Sequence, residues 1–143
     1  MDLDALTVIL AGRLAAIVPA GFHVAAAAGV LLYSADDGRF PGQQGDYRVG
    51  TATTTVRANF GVYGETDADN ITGVAIQALN ALQDYVSEAT HDPWPGTNAQ
   101  PSPHARISGA ALHLWYGEPG DVALACEPIT LTAIGGSRGA ARR

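Results

Sequence analysis

The most constraining feature of the chain is a single amphipathic stretch over residues 68–90. Ile71, Val74, Ala75, Ala78, Leu82, Tyr85, Val86 and Ala89 recur at steps of three and four, the spacing of one face of a helix. Gln77, Asn80, Gln83, Asp84, Ser87 and Glu88 fall on the other side and read as its wet face. The segment GETDADN ahead of it is a start signal: Thr66 followed three residues later by Asp69 resembles a capping box, with Asp where Glu is usual. The acidic residues there also complement the positive end of the helix dipole. A helix this long has to be covered along its apolar face, so the rest of the chain is read as what covers it.

Residues 3–18 predict a first helix with Leu6, Leu10, Leu14, Ile17 and Val18 as its stripe, Asp2 or Asp4 as its cap, and Pro19 as its stop. Residues 21–34 predict a hairpin turning near Ala28-Gly29; its second strand is apolar on both faces, which suits a central place in a sheet. Residues 48–63, rich in Thr and Val, predict one further strand. After the long helix, four prolines in 91–104 exclude a regular element. Residues 105–116 and 122–134 then read as an antiparallel pair joined at Gly117-Glu118-Pro119-Gly120. In that pair Leu112, Leu114 and Tyr116 share one face, and His113 and Trp115 the other. Pro128 removes a ladder donor, which places the last strand at an edge or kinks it.

The expected fold is therefore α+β, a mainly antiparallel sheet of about five strands with two helices in the order α-β-β-β-α-β-β. It forms a single domain over 1–134, followed by a disordered, Arg-containing tail over 135–143. At 143 residues and 47% hydrophobic composition the chain is long enough to build one core without disulfides or a structural metal.

Charge and composition narrow the function classes. Net charge is −6, the basic residues are all arginine, and three of the eight arginines (Arg138, Arg142, Arg143) lie in the last six residues. A generally acidic surface argues against binding phosphate backbones, so no nucleic-acid partner is expected. No apolar run approaches the roughly 20 residues of a membrane helix, and no membrane partner is expected. The first charges are Asp2 and Asp4, not the basic start of a secretory signal, so the expected location is cytoplasmic.

Candidate chemistry is sparse. Cys126 is the one cysteine, set among apolar neighbours, and reads as a buried structural thiol. The four histidines, His23, His91, His104 and His113, show no metal-ligand spacing, though His91, Asp92 and His104 flank the same proline-rich loop. Glu88 and Glu127 are the least routine carboxylates. The glycine-rich run 38–45 lacks a phosphate-loop signature. No catalytic residue, metal ligand or cofactor is assigned. Exposed aromatic and arginine side chains remain as contact candidates: Arg39 and Phe40 in the 35–47 loop, Trp94 between two prolines, and His113 with Trp115 on the outward strand face.

The segments LQDYVSEATHDPWPG (82–96), LHLWYG (112–117) and EPI (127–129) resemble a family of small uncharacterised actinobacterial proteins, across most of residues 3–131. That resemblance implies no activity. In architecture alone, the element order is similar to type III secretion chaperones, which are small acidic dimers that bind proteins, and to the ring-forming tail-terminator proteins of long-tailed phages. The expectation is a non-enzymatic, chaperone-like or adaptor module acting as a small oligomer, its partner a protein or another copy of itself. The alternative is a phage-type ring subunit, found in the virion. A third reading is a small hydrolase or metal-binding protein using the His91/His104 region.

Overall fold

The computed structural model describes residues 1–135 apart from 44, 46 and 47. Its elements run α1 (Leu3–Ala15), β1 (Phe22–Ala27), β2 (Val30–Ala35), β3 (Ala52–Thr55), α2 (Val56–Asn59), α3 (Asp67–Thr90), β4 (Pro103–Ser108), β5 (Ala111–Glu118), β6 (Asp121–Ala125) and β7 (Ile129–Thr130). A further helical turn covers residues 132–135. The class is α+β, as the pattern predicts, but the strands form two antiparallel sheets and not one. The first has the order β1-β2-β3; the second has the order β4-β5-β6, with β7 also pairing to β5. The expected tail lies outside the described residues, except for Gly135, whose N–H donates to Leu131 O at 3.1 Å.

The long helix is where the sequence places it. Thr66 caps α3 by accepting from the Asp69 N–H at 3.0 Å. At the other end His91 takes the left-handed conformation, φ 62°, and returns its N–H to Ser87 O. Both sheets lie against this helix: β2 and β3 on behalf of the first, β4 and β5 on behalf of the second. Leu31, Tyr33 and Thr54 from one sheet, and Leu112, Leu114 and Tyr116 from the other, are all fully or almost fully buried. The α1 helix covers β1 with Leu6, Leu10, Ala11 and Leu14 inward, and Asp2 caps it by accepting from Ala5 N. It ends at Ala15, short of Pro19, leaving Ile17 and Val18 half-buried in the connection.

Four expectations need correction. The strand over 48–63 is only four residues long, because the carbonyl of Gly29 in the β1–β2 turn accepts from both Val56 N and Arg57 N and starts α2 there. The stretch 105–116 is not one strand. It is the turn of a hairpin: Ser108 pairs with Ala111 across Gly109-Ala110, and Gly109 supplies φ +62°. The stretch 122–134 is broken, with β6 ending at Ala125 and Pro128 separating it from the two-residue β7. Gln83, expected on the wet face of the helix, is buried and donates to Pro101 O, which ties the proline-rich loop to α3. That loop has no regular element over 91–102, but β4 begins at Pro103, two residues inside the stretch expected to have none.

Candidate functional site

The outward face of the second sheet carries the most developed surface feature. Directly opposed residues on antiparallel strands share a face, so the pairs His104 with Trp115, Arg106 with His113 and Trp115 with Ala125 stand together on one side. Leu112, Leu114 and Tyr116 alternate to the inner side and are buried, as the sequence pattern predicts. A register shift between Tyr116 and Gly117 brings Val122 opposite Gly117 and onto the outer face. The result is a shallow groove of about 250 Å³ lined by Arg106, His113, Trp115, Pro119, Val122 and Cys126, among others.

The Trp115 indole is fixed within this groove. Its Nε1–H donates to Gly117 O at 2.9 Å, and its ring stacks on His104 with centroids 5.4 Å apart and planes 22° from parallel. The His104 Nε2 is buried and has no hydrogen-bond partner among the described residues. Val122 is 48% exposed, so apolar surface beside the indole is open to solvent. Cys126 lies just beyond β6, its N–H donating to Leu114 O. Burial pushes its thiol up to about 11, against a smaller downward pull from Arg13, so it is a protonated side chain at neutral pH. That fits the structural thiol expected from its neighbours.

Arg106 differs from the other described arginines. Arg13 donates to the carbonyls of Glu127 and Pro128. Arg39 stands 3.7 Å from Asp36. Arg48 donates to Gly45 O, and Arg57 pairs with Asp4. Arg13 and Arg57 tie distant segments together, while Arg39 and Arg48 make local contacts three residues away. Arg106 is exposed and makes no hydrogen bond or ion pair with the described residues.

The other contact candidates lie elsewhere. Phe40 stacks on Phe22 with centroids 4.3 Å apart and packs against the core, while Arg39 lies over the Phe40 ring. The pair closes the end of the first sheet and does not project from a free loop. Trp94 meets Tyr116 edge to face at 5.4 Å. Because Tyr116 points inward, the two tryptophans stand on opposite sides of the second sheet, and the DPWPG segment folds back over the core. Trp94 also borders a separate cleft with Asp92 and Thr97. The structure therefore brings His113 and Trp115 together, and leaves Arg39, Phe40 and Trp94 apart from them.

His91 and Asp92 end α3 on exposed positions, whereas His104 stacks under Trp115. Among the described residues no group of three or more His, Cys, Asp or Glu side chains is placed to hold a metal. His23 Nε2 meets Asp36 Oδ1 at 2.8 Å with both side chains at least half exposed, opposite Ser34 in the register. Among the described residues no helix is long and apolar enough to cross a membrane.

A continuous strand over 105–116 would put Arg106 on the face of Leu112 and Leu114, whereas the hairpin pairs it with His113. The signal was present in Gly109, since a glycine inside an alternating strand pattern marks a turn or bulge. A turn there pairs Arg106 with His113. No known protein family, curated protein or solved structure matches the chain.

Proposed function

We propose that this protein is a non-enzymatic binding module, chaperone-like or adaptor in character, that acts as a small oligomer and receives its partner on the outer face of the second sheet. The observation that carries this reading is the groove itself: an anchored, partly exposed Trp115 beside open apolar surface at Val122 and an unpaired arginine. Aromatic and arginine anchors in a shallow apolar groove are the common anatomy of protein contact sites. The groove is small for an interface, so it serves as the anchor point of a larger contact surface.

The test is absolute mass by light scattering on a size-exclusion column at several concentrations, run on the native chain and on Trp115→Ala. A stable dimer supports the chaperone-like or adaptor reading. A hexamer or larger ring would replace it with the phage-type structural subunit. A monomer at every concentration would remove the oligomeric part and leave a single binding module.

A further inference from the structure

We infer that the groove on the second sheet takes an acidic, partly apolar segment of a partner protein, with a partner carboxylate on Arg106 and an apolar partner side chain against Trp115 and Val122. This rests on the proposal that the groove is the binding face.

The argument is one of charge and of what is left unpaired. The chain as a whole carries net charge −6, yet among the described residues this groove is lined by Arg106 and His113 and by no carboxylate. Four of the five described arginines are already engaged by carbonyls or carboxylates of the chain itself. Among the described residues Arg106 has no partner, and it is exposed and cross-strand from His113. Glu118 and Asp121, at the β5–β6 turn, line a neighbouring cleft instead. They bound the cationic zone on one side and so limit where a carboxylate can sit. A planar guanidinium with no internal partner is matched by a carboxylate, which accepts two parallel N–H bonds. The indole, Pro119 and Val122 supply the adjoining apolar surface. A phosphate backbone is disfavoured because one free arginine does not offset an acidic chain.

The experiment is fluorescence anisotropy of a short labelled peptide of alternating glutamate and leucine, titrated with the unmodified protein and repeated with a glutamine-and-leucine counterpart. The acidic peptide is expected to bind roughly tenfold more tightly than the glutamine one, as a charge-assisted hydrogen bond provides. Arg106→Gln, an exposed substitution, should erase that difference without moving the melting temperature. Equal binding of the two peptides, each abolished by Trp115→Ala, would overturn the acidic preference and leave the groove reading standing. Binding of neither peptide would overturn the acidic-segment proposal, and the mass measurement on Trp115→Ala would then judge the groove. Displacement of the acidic peptide by tripolyphosphate at lower concentration than by free glutamate peptide would also overturn it, in favour of a phosphate ligand.

Discussion

Tyr33 and Tyr116, from different sheets, donate to the carbonyls of adjacent residues on one turn of α3. Tyr33 Oη reaches Ala78 O at 3.3 Å, and Tyr116 Oη reaches Leu79 O at 2.6 Å. The Tyr33 hydroxyl also lies 2.7 Å from Thr54 Oγ1. A phenol has one proton to give, so with Tyr33 donating to Ala78, the Thr54 hydroxyl donates to Tyr33. The same turn of α3 thus fixes the position of both sheets, and with them the groove on the far side of the second.

Those two phenols predict alkaline unfolding. Burial pushes Tyr33 up to about 12, partly offset by the Thr54 hydroxyl, and burial pushes Tyr116 higher still. In the unfolded chain both ionise near the ordinary tyrosine value of 10.0. The neutral forms are therefore favoured by folding. Their contribution is fully present below pH 10 and is lost as pH rises through 10 to 12 and beyond, by up to about 1.4 kcal/mol per group per pH unit. Urea titrations between pH 8 and 12 should show this decline. Tyr116→Phe should be flatter there and about 1 kcal/mol less stable at neutral pH, the net value of the lost hydrogen bond.

Gly42 is where the 35–47 loop meets the end of α3. Its N–H donates to Ala89 O at 2.8 Å, and a Cβ at this position would collide with Glu88 O. The obstacle is helix backbone, which cannot swing aside. Gly42→Ala should destabilise the protein by about 1–3 kcal/mol, the usual range for overpacking. Gly38→Ala, where the added carbon has open space but φ is +70°, separates backbone strain from collision. A Gly42→Ala denaturation midpoint equal to that of the native chain would show the loop is free of the helix.

Asn70 uses all of its amide. Its Oδ1 accepts from Gly61 N and Tyr63 N, and its Nδ2 donates to Gly64 O and Thr66 O. It thereby holds the entire connection between α2 and α3. Asn70→Ala should cost about 3 kcal/mol, because several backbone groups lose a partner together. Asn70→Asp keeps the acceptor and loses both donors, so its cost should fall between the two. Thermal melts of the three proteins give the order.

The legible parts of the fold were those set by short-range chemistry. Thr66, the stripe from Ile71 to Ala89, the Ala28-Gly29 turn and the alternation at Leu112, Leu114 and Tyr116 all read directly from spacing and residue type. What was not legible depended on contacts distant in sequence. Gln83 is polar by composition, yet the Pro101 carbonyl buries it. The Thr-rich run ends early because of a carbonyl 27 residues upstream, at Gly29, donated to by Val56. Phe40 lies in a loop by every local measure and is held by Phe22. At the groove, His113 and Trp115 were legible from alternation, while Arg106 required the hairpin turn at Gly109 to be placed first.

Cys126 should be slow to react. Burial raises its thiol from the ordinary value of 9.0 to about 11, so its thiolate fraction near pH 8 is about 100-fold below that of an exposed cysteine. Thiol titration with a disulfide reagent should be at least that much slower in the native protein than in denaturant. A native rate close to the denatured one would mean the thiol is open to the groove and ionised.

The two tryptophans separate surface from core. Trp94 packs edge to face on the buried Tyr116 beneath the second sheet, and Trp94→Ala should cost about 3 kcal/mol, the low end for aromatic truncation in a core. Trp115 lies on the other face, held by one hydrogen bond and the His104 stack. Its truncation frees surface already partly in water, so Trp115→Ala should cost about 1 kcal/mol or less. Calorimetric melts of the two variants test this directly. If Trp115→Ala lowers the melting temperature as far as Trp94→Ala does, Trp115 belongs to the core, and the outer face of the second sheet is not the binding surface.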